Sequence, residues 1–334
     1  MAIIGGHIDA LTAKLKPVSN KPVKAGYLQL GVAPYAGALN ETWWDRDLSI
    51  GGRVIVRDPD TGKTTSKLVK LGWPIAKIPT LAPHFGVGMV GSQNKETQAV
   101  PVIGLESSSP EEVLGEAGTF VSSQPPKLVK LIASELGIRP QNYSSIVNWE
   151  LELFDFQPAT VAGMDKEFIS AGRIDDKLCS WAALTGLLYG DHAPSDGGIK
   201  LVALFDDEEI GSLLRQGAKG NFLPSVIERT VESLSSSAGK SFGPGVLGQT
   251  YARSFLVSSD VTHAANPNFL ERYQADHLPL LNVGVTICAD SNGHSTYKLD
   301  ISCVLSGAPY SYALKPRYKS AVLAPSLVAN KLEQ

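Results

Sequence analysis

Cysteine is scarce: Cys179, Cys288 and Cys303 are the only three in 334 residues. Three cannot all pair within one chain, and no CxxC spacing occurs. A disulfide framework is therefore excluded, and free thiols in a non-secretory route are expected. There is no run of about 18 apolar residues, so no segment is expected to enter a membrane. Neither sign of charge prevails. The formal net charge is −3 with both signs interspersed, which argues against nucleic acid or an anionic surface as partner. Low-complexity tracts and internal repeats are lacking too. The first residues, Met1 to His7, have neither a basic region nor a long apolar stretch, so no signal peptide is read there.

What remains is ordinary globular composition, with 43% of residues apolar and 19% charged. The length suggests roughly two domains. Residues 2–8 read as a buried strand that ends in His7-Ile8-Asp9. From about Gly26 to Gly163 the texture is that of β-hairpins, with 51–57 and 67–71 flanking the turn cluster 58–63. One helix is expected there, from Lys127 to Leu136, stopped by Gly137. A strand pair is expected around Ser145–Phe154. From Ile169 onward helices and strands alternate: helix Asp176–Tyr189, strand Ile199–Phe205, helix Phe222–Leu234 and strand Arg253–Asp260. The Ser/Gly-rich stretch Ser235–Gly248 reads as a mobile loop. The fold class is α/β, with a β-rich insert interrupting an α/β domain.

Four acid and histidine clusters fall at or just after strand ends, where open α/β sheets place their sites. They are His7-Ile8-Asp9, Asp175-Asp176, Asp207-Glu208-Glu209, and Asp260 with His263. Zinc takes imidazole nitrogen and carboxylate oxygen, and two zincs need a bridging carboxylate. In His-x-Asp the aspartate can fix the tautomer of a ligating imidazole. Of two adjacent glutamates, one can bind metal while the other accepts a proton. Any one such cluster is more often a solvated edge or a helix cap; four together are harder to read that way.

The chain resembles the aspartyl aminopeptidase and vacuolar aminopeptidase I family (metallopeptidase family eighteen), from His7 to about Leu299. The matching stretches are Gly5-Gly6-His7-Ile8-Asp9 with Leu15-Lys16-Pro17, Trp44-Asp45-Arg46-Asp47-Leu48, Lys77-Ile78-Pro79, Gly172 to Asp176, Ala203 to Ser212, and Ser259 to Ala264. Gly172 to Cys179 and Asn266 to Phe269 look closer to the fungal vacuolar branch. The resemblance implies a zinc-exopeptidase-like α/β/α catalytic domain, split into 1–20 and 166–300. An inserted β-rich assembly domain, 21–165, separates the halves. It implies two zincs per full-length subunit, with His7 and Asp260 on one, Asp175 bridging, and Glu209 on the other. Glu208 would be the general base and Asp9 would orient His7. His263 would lie near substrate, and His84 would approach a neighbouring subunit's site. The implied activity is removal of N-terminal residues from a peptide substrate. The implied assembly is a homo-oligomer, a dodecamer in the family, and the implied compartment is cytoplasmic or vacuolar.

The chain also departs from that pattern. The family's segment before His7 and its final metal-binding histidine have no counterpart, and 301–334 is a tail unlike the family. A product truncated at both ends is expected, with an incomplete second zinc site and weak or absent activity. His294, the last histidine, is a candidate substitute ligand. His192 and His277 read as loop or structural residues. Two other functions stay open: a non-catalytic assembly subunit, and another dinuclear zinc hydrolase of the same clan.

Overall fold

The computed structural model describes residues 1–85, 94–107, 114–190, 197–273, 278–281, 283 and 286. His192, His277, His294, Cys288, Cys303 and the 301–334 tail lie outside the described residues. Two compact units are present. One comprises Met1–Ala10, Val161–Ile169 and Arg173–Gln334; the other comprises Leu11–Thr160 and Ser170–Gly172.

Strand β1 (Ala2–His7) belongs to the first unit. The second unit then follows with β2 (Thr12–Asn20), β3 (Tyr27–Tyr35), β4 (Leu48–Arg57), β5 (Thr64–Lys70), β6 (Val102–Leu105), α1 (Pro126–Glu135) and β7 (Ile146–Asp155). Its strands form one six-stranded sheet in the order β5-β4-β7-β2-β3-β6. The expected hairpin is present: β4 and β5 pair antiparallel from Gly51↔Lys70 to Arg57↔Thr64. The expected strand pair near 145–154 is instead the single strand β7, which is flanked by β2 and β4. Segment 12–20, grouped by sequence with the split domain, is β2 and pairs inside this sheet.

Helix α1 explains itself. Pro126 occupies its first turn, where a missing N–H costs nothing. Leu128, Val129, Ile132 and Ala133 form its buried stripe. Gly137, with φ +68°, follows its end. The stripe joins Leu30, Ile50, Val54, Leu151 and Leu153 in one core. Phe120 meets Trp149 edge to face at 5.1 Å. The Asp45-Arg46-Asp47 stretch is spent on local pairing. Asp45 accepts from the Thr80 N–H, Arg46 pairs with Asp155, and Asp47 lies 2.9 Å from the Lys77 ammonium.

Strands β8 (Thr160–Ala162) and β9 (Phe168–Ser170) pair with each other. The first unit resumes with α2 (Ile174–Tyr189), β10 (Lys200–Phe205), α3 (Phe222–Ser237), α4 (Pro244–Ala252) and β11 (Phe255–Ser258). Its sheet is parallel, with β1 between β10 and β11. Ile3 packs on Ile227 and Val231 of α3. Gly6, on the opposite face by strand alternation, lies against Asp176 and Ser180 of α2. Helices thus cover both faces, as a parallel sheet requires. The stretch read as a loop from Ser235 to Gly248 is shorter: α3 runs on to Ser237 and α4 opens at Pro244. Proline at the first helical turn is pre-set for helix, which outweighed the Ser/Gly composition.

The register His7↔Phe205 and Gly5↔Ser258 brings the C-terminal ends of the three strands level. The chain leaving each strand carries the acids to one rim. No helix among the described residues is long and apolar enough to cross a membrane.

Candidate metal centre

His7 ends β1 almost fully buried, at 2% exposure. Its Nδ1 lies 3.1 Å from Asp9 Oδ1. Its Nε2 lies 3.1 Å from Asp175 Oδ1, 3.6 Å from Asp260 Oδ1 and 3.8 Å from Glu208 Oε2. One donor atom from each of His7, Asp175 and Asp260 lies within 4.8 Å of the others, so the three could hold a metal ion. Asp175 stands in the first turn of α2, Asp260 follows β11, and Glu208 opens a short 3-10 turn after β10. Sheet order therefore unites residues distant in sequence.

Asp9 has a second use. Its two oxygens accept the N–H groups of Glu208, at 3.3 Å, and Glu209, at 3.1 Å. Asp207 before them adopts φ +62° and turns the chain sharply out of the strand. Asp9 so ties the loop after β10 to the imidazole.

The electrostatics are those of crowded acids. Burial works to lower the His7 pKa. Hydrogen bonds to Asp175 and Asp260 and the charges of Glu208 and Asp260 overcome it, raising the pKa to about 11. The His7 hydrogen bond, and then the His7 charge, holds the Asp175 carboxyl below its ordinary range. Burial, then the Asp175 charge, pushes Glu209 up to about 7. Burial also raises Glu208, and Asp260 adds to it. A proton on imidazole thus stands among carboxylates, as a cation would.

His7, Asp9, Asp175, Glu208, Glu209 and Asp260 thus converge at this rim. Glu209 is outside the three-donor group but within electrostatic reach of Asp175. His263 is exposed. His84 belongs to the second unit, where it is exposed and stacked on Phe85 at 4.7 Å between ring centroids. Sequence reasoning gave no role to Asp176 or Ser180. Asp176 Oδ2 accepts the His7 N–H at 3.2 Å, and Ser180 Oγ donates to the His7 carbonyl at 2.6 Å. Only the aspartate's place beside Asp175 signalled it; the serine carries no sequence signal.

The donor set suits zinc. One imidazole nitrogen and two carboxylate oxygens are the ligand types and the number that catalytic zinc sites use. An imidazole held at Nδ1 by a carboxylate, as His7 is by Asp9, presents Nε2 in the required orientation.

Comparison with known proteins finds relatives in sequence and in fold. Residues 1–305 match the family model described as aminopeptidase I zinc metalloprotease (M18). Vacuolar aminopeptidase 1 of Saccharomyces cerevisiae is 42% identical over 305 residues, covering 88% of this chain and 57% of the relative. An aspartyl aminopeptidase of Aspergillus oryzae is 38% identical over 319 residues, covering 87% and 62%. The solved structure of Chaetomium thermophilum mApe1 superposes with a TM-score of 0.83 at 68% identity. That match covers 92% of this chain and 68% of the other. The Saccharomyces cerevisiae mApe1 dodecamer gives a TM-score of 0.74 at 35% identity, covering 92% and 65%. The chain spans roughly three fifths of the length of the curated relatives it matches. With family-wide agreement in sequence and in fold, the chain belongs to the M18 family of aminopeptidase I zinc metalloproteases.

Proposed function

We propose that the chain is a zinc aminopeptidase that removes N-terminal residues from peptides. The observation that carries the reading is the meeting of His7, Asp175 and Asp260, with Glu208 beside them, at the C-terminal rim of a parallel sheet. His7, Asp175 and Asp260 would hold one zinc, and Glu209, with Asp175, would contribute to holding a second. Zinc when bound supplies a Lewis acid that makes water acidic and polarises a carbonyl.

The chain's own residues supply the proton handling. Burial raises the Glu208 carboxyl, which brings it nearer the range where a general base works at neutral pH. Its carboxylate takes a proton from the attacking water and passes it to the leaving amine. Asp9 holds His7 and the backbone of Glu208 and Glu209 together, so base and ligands keep one geometry. His263 stands at the exposed side, toward substrate.

Further elements belong to the same proposal, and the solved dodecameric relative supports the oligomeric one. The second unit is an assembly domain, the working form is a homo-oligomer of the dodecameric kind, and His84 reaches a neighbouring subunit's site. The compartment is vacuolar or cytoplasmic; the name of the Saccharomyces cerevisiae relative supports the vacuole.

Hydrolysis of leucyl- and aspartyl-peptides, with free and with acetylated N-termini, tests the reading. Cleavage of free N-termini alone, lost with Glu208→Gln, is expected. Equal cleavage of both, or cleavage from the C-terminus, would overturn it.

A further inference from the structure

The imidazole of His7 is held at its ring by Asp9, but its backbone is held as well, and from a different element. Asp176 Oδ2 accepts the His7 N–H at 3.2 Å. Four residues later on α2, one turn on, Ser180 Oγ donates to the His7 carbonyl at 2.6 Å. The Lys177 ammonium donates to the Ile8 carbonyl on the same stretch. Asp176 is fully buried and Ser180 nearly so, at 0% and 4% exposure. One helix thus engages both the N–H and the carbonyl of His7.

Such closeness needs room. A Cβ on Gly6 would stand 2.9 Å from Asp176 Oδ2, 3.2 Å from Ser180 Oγ and 3.2 Å from the Ser259 carbonyl. Glycine at position 6 lets α2 and the chain after β11 close on β1. On the far side, the Ser259 N–H donates to the Gly5 carbonyl at 2.7 Å. Since Asp175 immediately precedes Asp176 and Asp260 immediately follows Ser259, the same contacts that hold His7 also hold the carboxylates opposite it.

We infer that Asp176 and Ser180, with Gly6 leaving space for them, are positioning residues that set His7 against Asp175 and Asp260 by fixing its backbone on both sides. Neither residue touches the metal or the reacting atoms. The inference rests on the metal site proposed above. It adds that the site's affinity is built partly by α2 gripping the backbone of β1. Outer-shell partners that orient a ligand are typically worth roughly 10- to 100-fold in metal affinity.

Competition between the full chain and a chromogenic chelator for zinc measures the effect, with His7→Ala as reference and thermal unfolding of the metal-free chain in parallel. Asp176→Ala and Ser180→Ala are expected to weaken zinc binding roughly 10- to 100-fold. Asp176→Asn, whose carbonyl oxygen can still accept the His7 N–H, is expected to restore most of it. Ser180→Ala removes only a hydroxyl and decides alone if Asp176→Ala does not fold. Wild-type affinity in both alanine variants, with a lowered melting temperature, would show a merely structural role and overturn the inference. If His7→Ala itself binds zinc as tightly as wild type, the metal-site reading fails, and this inference with it.

Discussion

Asp9 Oδ1 lies 3.1 Å from Nδ1 of His7, and the same oxygen also accepts the Glu208 N–H. One buried carboxylate therefore sets the imidazole and anchors the turn that carries the two glutamates. Replacing Asp9 by alanine frees both at once. Zinc affinity is expected to fall roughly 10- to 100-fold. Calorimetric titration of the metal-free protein measures it, and an unchanged affinity would show that the aspartate orients nothing.

Glu208 separates binding from chemistry. Its carboxylate is 3.8 Å from His7 Nε2 and outside the three-donor group. Glu208→Gln is expected to keep zinc and to lower peptide hydrolysis by about 100- to 10,000-fold, the usual worth of a general base. Steady-state kinetics with metal analysis on the same sample reads both. Loss of zinc instead of turnover would make Glu208 a ligand.

Gly52 is a structural test in the second unit. It has φ +143°, and a Cβ there would fall 2.1 Å from the Glu150 carbonyl. Gly52→Ala must push β7 away from β4. It is expected to destabilise by more than about 1 kcal/mol, exceeding in the opposite direction what a glycine replacement gains where the backbone tolerates it. Chemical denaturation measures it, and a neutral result would mean the sheet relaxes freely at that point.

The Glu150–Arg53 pair gives a pH dependence with a definite sign. The Arg53 hydrogen bond holds the Glu150 carboxyl below its ordinary value, with the Lys14 charge adding to it. A depressed carboxylate stabilises the fold above its unfolded pKa. That contribution is lost as pH falls through the lower, folded value. Both side chains are more than half exposed, so solvent screening limits the pair to under about 1 kcal/mol. The stability gap between wild type and Arg53→Met, measured in urea, is expected to be small at pH 7 and to close as pH falls below the lowered Glu150 value. A gap that widens in acid would contradict the assignment.

Sequence made some of this legible and left the rest unread for physical reasons. β1 was visible as a short apolar run ending in His7-x-Asp9, and the strand before Asp206 was visible the same way. A strand's polar residues appear only where it leaves the sheet, so the clusters at strand ends pointed to one rim. The α/β class followed from helix and strand alternation after Ile169. The grip of Asp176 and Ser180 on His7 was invisible. Those residues are separated from it by the whole of the second unit, and a buried serine on a helix has no distinguishing pattern. Helix α4 was hidden by its glycines, Gly245 and Gly248, whose low propensity is overridden by the packing of Leu247 against the core of the first unit. The pairing of β2 with β7 was unreadable too, because strand order is a non-local property.

Zinc bound per chain, by equilibrium dialysis followed by elemental analysis of wild type, His7→Ala and Asp260→Ala, tests the central claim most directly. Wild type should retain at least one zinc per chain, and each variant should lose it while keeping its far-ultraviolet dichroism. Zinc retained equally by all three would place the metal elsewhere, and a folded wild type that binds none would contradict the metal centre itself.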